Sequence, residues 1–266
     1  MTLVSALDNL GPVFEAVVVI GGFVGLSVLL GRIVAAVVRH DTLREHNDLA
    51  GFIFAVVGVT YAVLLGFIAI GVWERFAAAE DRTYDEASHL TSIYRDAGQF
   101  PGGGRVRDEL RAYVENVIRL GWPAMRRGEI DRDTEIQAER VALAVEDLVP
   151  QTPQGVDVHQ QMLVALDASL ADRDARLSED ANGLNGLMWM VLLAGGFITI
   201  AFSYLFGFRH SWMQAAMIGA LALLIGLVIY LTMSLDFPFR GSITVPPDAF
   251  ERALSDFALV DSAQRP

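Results

Sequence analysis

Four apolar runs dominate this sequence, at about Val13–Val38, Leu49–Trp73, Leu187–Phe208 and Met213–Leu235. Each holds roughly 20 residues or more, and at about 1.5 Å rise per residue that length crosses a ~30 Å hydrocarbon core. Lipid offers no partners to backbone N–H and C=O groups, so only helices and closed barrels span it. The runs lack the period-two alternation of barrel strands. The chain is therefore predicted to be an all-α membrane protein with four transmembrane helices. A mean hydropathy of +0.41 agrees.

The runs come in two pairs. Their links, Arg39–Asp48 and Arg209–Trp212, are short, so each pair is expected to form an antiparallel hairpin. The expected organisation is a first transmembrane hairpin over 13–73, an acidic helical extramembrane domain over 74–184, a second hairpin over 187–235 and a C-terminal tail over 236–266. The first run does not read as a cleaved signal peptide, because no cation precedes it and no small-residue cleavage site ends a short core. The chain has no cysteine, which excludes disulfides and thiolate chemistry. All 20 of its Lys or Arg positions are arginine.

The segment between the hairpins reads as helical. Trp73, Phe76, Glu80, Thr83, Ala87, Leu90 and Tyr94 follow steps of three and four. So do Val106, Leu110, Tyr113, Val117 and Leu120, and again His159, Leu163, Leu166, Leu170, Arg173 and Leu177. "FPGGGR" (Phe100–Arg105) separates the first helix from the second, and "GWP" (Gly121–Pro123) bends or ends the second. A shorter helix is expected over about Asp133–Leu148, ended by "VPQTPQG". No turn signal stands between Trp73 and Tyr94, and Leu177–Leu187 carries two glycines but no proline. Helices 2 and 3 are thus expected to extend beyond the bilayer, the third with a kink.

The formal net charge is −12, and Glu74–Leu184 holds 22 acids against 13 arginines. That excess reads either as a solvated surface or as an acidic vestibule that concentrates cations. No basic face is present for nucleic acid. By the positive-inside rule, Arg39 and Arg44 place the links in the cytoplasm and the central domain outside; Arg75, Arg82, Arg173, Arg176 and Arg240 count the other way.

Signals for enzyme chemistry are absent. His40, His46, His89, His159 and His210 fall in no metal-ligand spacing, and "PGGG" lacks the Gly-Lys-Ser/Thr of a phosphate loop. "EIDRDTE" (Glu129–Glu135) lacks the glycine and the final acid of a calcium loop, and reads as a capped helix start. No cofactor, metal or catalytic set is expected. Charges within or bordering the spans are more informative, because they are costly there. Arg32 either snorkels to the interface or pairs with Glu45 or Asp48; Glu15 and Asp236 sit at boundaries. Tyr61, midway along the second run, reads as an interhelical hydrogen bond or as a pore-lining group.

Small residues recur along that second run at Gly51, Ala55, Gly58, Ala62, Gly66 and Ala69. Such ridges let helix backbones approach closely. The other runs have comparable faces: Gly21 and Gly25; Gly196, Thr199, Ser203 and Gly207; Gly219, Ala222 and Gly226. Packing within one subunit is the default expectation for all four. The second ridge also leads by helical spacing through Trp73 into the stripe to Tyr94, as expected of a long axial helix.

"GVTYAVLLGF" (Gly58–Phe67), Trp73, "EASHL" (Glu86–Leu90) and "LDFPFRGSITV" (Leu235–Val245) resemble the bestrophin-like family of bacterial membrane proteins, a domain of unknown function named for its similarity to bestrophins. The resemblance covers nearly the whole chain. It implies a homo-oligomeric, pentameric ion channel in a bacterial inner membrane, with second helices ringing the pore and inserts forming a cytosolic vestibule. The second run lacks the phenylalanine-rich neck of animal bestrophins, so selectivity residues do not carry over. On this reading Gly58, Tyr61, Ala62, Leu65 and Gly66 are the pore-lining candidates, and Glu74 and Glu80 stand at the vestibule mouth. The expected partners are the lipid bilayer, further copies of the chain and inorganic ions, cations slightly favoured. The alternative from another class is a non-conducting sensor or scaffold with a helical sensing domain.

Overall fold

The structure, a computed structural model, describes residues 12–37, 47–206 and 211–264. Among these residues there is no β-strand. Four helices are long and apolar enough to span a bilayer, at Val13–Val37, Gly51–Ala97, Gly186–Ser203 and Trp212–Leu235. The chain is a multi-pass membrane protein. It divides into a membrane unit (Met1–Glu74 and Leu184–Asp236) and an extramembrane unit (Arg75–Gly183 and Phe237–Pro266).

The membrane unit contains α1 (Pro12–Val37), the first half of α2 (Asn47–Ala97), α7 (Gly186–Ser203) and α8 (Ser211–Leu235). Large residues of α1 seat on the small face of α8. A Cβ at Gly226 would stand 3.1 Å from the Phe23 ring, Gly219 faces Val24 and Val28, and Ala222 is fully buried. The small face of α7 serves α2 instead: the Tyr61 ring lies against Gly195 and Gly196, and its hydroxyl donates to the Leu192 carbonyl at 3.0 Å. Tyr204 donates to the Ser27 carbonyl at 2.9 Å and ties the end of α7 to α1. Tyr61, Leu65, Leu192, Ile200, Tyr204, Ile218, Ala222 and Ile225 form the core. The other two small faces are largely uncovered among the described residues: a Cβ at Gly21, Gly25, Gly58 or Gly66 would have no neighbour within 4 Å, and one at Gly51 would only touch Phe206 at 3.9 Å. For α1 and α2, the expectation of small-face packing inside one subunit is corrected; small faces pack where a neighbour brings large side chains to them.

The extramembrane unit contains the second half of α2, α3 (Gly103–Asn116), α4 (Trp122–Arg126), α5 (Arg132–Glu146), α6 (Pro153–Ala181) and α9 (Asp248–Gln264). With no proline and no turn residue to stop it, α2 runs unbroken for 51 residues. It ends at "FPGGG", where Gly102 takes a φ of 89° and a side chain at Gly103 would overlap the Ala97 carbonyl. α3 passes into α4 through a π-helical turn at Val117–Gly121. Pro123 has no N–H for the carbonyl four residues back, and the wider turn accommodates its ring. Asp131 caps α5 by accepting from the Thr134 N–H at 2.8 Å, and Thr152 caps α6 through Gly155. α6 stops at Ala181 and α7 begins at Gly186, so 182–185 is a break in the helical path where a kink was expected.

The segment that the sequence presents as a tail supplies the unit's centre. Phe239, Val245, Phe250 and Phe257 are among its most buried residues. Trp122 donates to the Val245 carbonyl at 3.1 Å and meets Phe239 and Phe250 edge-on, each at 5.5 Å.

Candidate functional site

α2 carries the residues to which the sequence assigns function, and the structure divides them between two faces. Tyr61 and Leu65 are buried against α7 within the chain. Gly58 and Gly66 are partly open, and Ala62 is exposed. With Ala55 and Ala69 these three form a shallow, uncovered strip of small residues. Its neighbours Phe52, Val59, Val63, Phe67 and Ile70 are all exposed. Thr60 donates to the Val56 carbonyl one turn back, so its hydroxyl needs no partner from another helix. Trp73, Glu74 and Glu80 are exposed.

The boundary charges have different surroundings. Asp236 is buried and accepts from the Leu184 N–H at 2.6 Å and from Trp189 Nε1 at 3.2 Å, which fixes the start of α7. Glu15 is half-buried, and its Oε2 is shut off from solvent with no hydrogen-bond partner among the described residues. Arg32 is exposed on α1. Its expected partners, Glu45 and the side chain of Asp48, lie outside the described residues.

In the extramembrane unit the buried line on α2 runs through Ala79, Thr83, Glu86, Leu90 and Ile93. The expected stripe holds from Thr83 onward, where Thr83, Ala87, Leu90 and Tyr94 are all buried; it differs before that, where Trp73 and Glu80 are exposed and Val72 and Ala79 are buried instead. On α6 the packed face is rotated by about one residue from the expected one, and Met162, Leu166, Ser169, Asp172, Arg176 and Asp180 are buried. Charged groups from the two helices therefore meet inside the unit. Arg176 pairs with Glu86 at 2.8 Å, Tyr113 donates to Glu86 at 2.7 Å, and Arg176 lies over the rings of Trp122 and Phe250. Burial, then the Glu86 charge, push the Tyr113 hydroxyl well above its ordinary range. Burial alone would lower Arg176, but the charge and hydrogen bonds of Glu86 outweigh it and hold the guanidinium above its usual value. Asp172 accepts from Arg82 at 3.0 Å with His89 at 3.5 Å, and Asp261 accepts from Tyr94 and Arg111. Sequence reasoning passed over these groups, because each alone looks like one more surface charge. Among the described residues no cluster of His, Asp and Glu could hold a metal ion.

A model of the Bestrophin-like domain matches residues 21–250. The chain belongs to the Bestrophin-like family. The fold agrees with that membership. It is similar to a bacterial bestrophin homologue from Klebsiella pneumoniae, seen in a single-substitution variant, with a TM-score of 0.66 at 14% identity, covering 92% of this chain and 99% of that one. A second crystal structure of a Klebsiella pneumoniae bestrophin homologue gives a TM-score of 0.65 at 13% identity over 92% and 98% of the two chains. A structure described as a membrane protein gives 0.66 at 15% identity over 93% and 100%. No curated protein matches the sequence. Within the Bestrophin-like fold, α2 is the helix that carries both the uncovered small-residue strip and the buried polar cluster.

Proposed function

We propose that the protein is a homo-oligomeric ion channel of the bacterial inner membrane, with α2 from each copy bordering the conducting axis. The observation that carries this reading is the uncovered face of α2. Tyr61 and Leu65 are buried inside the chain while Gly58, Ala62 and Gly66 remain open. Small residues are favoured where backbones approach or where space must be left for ions, and none of the described residues packs against Gly58 or Gly66. Family membership supports the same reading. So do exposed apolar residues outside the spans: Ile136, Leu143, Val149 and Val164 suit contact with further copies. We further propose that the extramembrane unit lies in the cytoplasm; Arg75, Arg82 and Arg240 support that side, while Arg39 and Arg44 count for the opposite one. The excess of 22 acids over 13 arginines in Glu74–Leu184 favours cations.

The test is flux through the purified protein in liposomes, K⁺ against Cl⁻, together with subunit counting by chemical cross-linking. A closed ring of four or more copies that passes K⁺ supports the reading. A monomer or two-fold dimer without flux would favour the sensor or scaffold instead.

A further inference from the structure

A cavity of about 360 Å³ opens between α2, α7 and α8 in the membrane unit. It falls in the range of small-molecule pockets, about 300–1,000 Å³. One wall is the edge-to-face pair of Phe54 and Phe206, with ring centroids 5.5 Å apart. Met217, Ile218 and Leu221 line its depth. Its polar groups are Ser203 and Gln214. The Ser203 hydroxyl donates to the Ile200 carbonyl, and Gln214, though buried, donates to the Phe206 carbonyl at 3.2 Å.

These groups are ordered along the spans. Gln214 lies in the first turn of the fourth span, and Phe206 follows the last turn of the third. Leu221 lies seven residues past Gln214, about 10 Å deeper at 1.5 Å per residue. The cavity therefore has its amide near the lipid–water boundary and a wholly apolar interior. Water finds too few partners there, since an apolar cavity of this kind stays dry. Left empty, a void of this size would forfeit the packing of its walls. Gly51, at the start of the small-residue ridge of α2, also lines the cavity, while its deeper wall is formed by α8 through Met217, Ile218 and Leu221.

We propose that this cavity binds the acyl chain of a membrane phospholipid, with the ester region level with Gln214 and the tail against Phe54, Met217, Ile218 and Leu221. The site is separate from the conducting axis and does not depend on conduction.

The test reconstitutes the full chain in vesicles of phosphatidylcholine bearing a diazirine in one acyl chain. After irradiation, labelled residues are mapped by mass spectrometry. Label is expected to concentrate on Phe54, Met217 and Leu221 above the level on the exposed residues Phe67 and Phe197. Met217→Trp fills the cavity and should lower label at Phe54 by about tenfold, equivalent to excluding about two methylenes, without changing label at Phe67. Leu221→Phe is the milder second variant should the first fail to fold, and the wild-type pattern needs neither. Even labelling of Phe54 and Phe67, or a cross-link from Met217→Cys to a neighbouring copy, would overturn the proposal.

Discussion

Arg176 donates to both carboxylate oxygens of Glu86, from Nε at 2.8 Å and from Nη2 at 3.1 Å, across a sequence separation of 90 residues. Neither side chain is open to solvent, at 3% and 1% exposure. Breaking such a pair strands a buried charge, which costs about 3–5 kcal/mol. Arg176→Met should lower the thermal stability of the detergent-solubilised chain by that amount. The triple variant Glu86→Leu/Arg176→Met/Tyr113→Phe should recover most of the loss, since apolar groups can replace a buried pair at little net cost once the Tyr113 hydroxyl that donates to Glu86 is removed as well. A loss below about 1 kcal/mol in the single variant would place the pair in water.

The same cluster sets a pH limit. The folded state raises Tyr113 well above the ordinary phenol value of 10.0, so it keeps a proton that the unfolded chain gives up. The contribution is fully present below pH about 10 and is lost as pH rises through the folded value. Tyr94, raised by burial and by its bond to Asp261, acts in the same direction. Unfolding midpoints followed from pH 8 to 11.5 should fall above about pH 10. Tyr113→Phe should be less stable at neutral pH by about 1 kcal/mol but show a shallower fall.

Gly195 and Gly66 offer a controlled contrast. A methyl on Gly195 would overlap the Tyr61 ring, whereas one on Gly66 would meet nothing within 4 Å. Gly195→Ala should destabilise by about 1–3 kcal/mol through overpacking. Gly66→Ala should be neutral or stabilising by up to about 1 kcal/mol, from helix propensity. Thermal unfolding in detergent separates the two.

A bulkier change at the same open position tests conduction. Gly66→Leu leaves the chain's own packing untouched and should abolish K⁺ flux in liposomes with cross-linked assembly unchanged. Wild-type currents in an assembled Gly66→Leu protein would remove this face of α2 from the ion path.

Glu74 and Glu80 are exposed on α2, where a charge acts on passing ions through water. Glu74→Gln/Glu80→Gln should reduce the preference for K⁺ over Cl⁻. The reduction should be largest at low salt and fade near 1 M, where the Debye length shrinks to about 3 Å. Reversal potentials at two ionic strengths provide the measurement.

How far these features can be read from sequence varies with the physics behind them. The four spans are written in composition, because the hydrocarbon core tolerates little else. The unbroken α2 follows from the absence of any helix stop between Trp73 and Tyr94. Which face of a long helix packs is less legible. The stripe is right at Thr83, Ala87, Leu90 and Tyr94, but it puts the exposed Glu80 on the packed face and misses Glu86 beside it; only the partner helix decides such edges. Glu86 and Arg176 each scan as a solvated charge; their pairing depends on a long-range register that no local pattern encodes. Phe250, Ala253 and Phe257 do show helical spacing, and that signal was available to mark the last helix as a core element.

That last helix has a consequence for biosynthesis. The hydrophobic centre of the extramembrane unit needs Phe239, Phe250 and Phe257, which leave the ribosome after α7 and α8. Residues 75–183 must therefore wait, incompletely packed, while two further spans are inserted. A chain that ends before Phe239 lacks those rings, and its residues 75–183 form an open bundle in place of a finished domain.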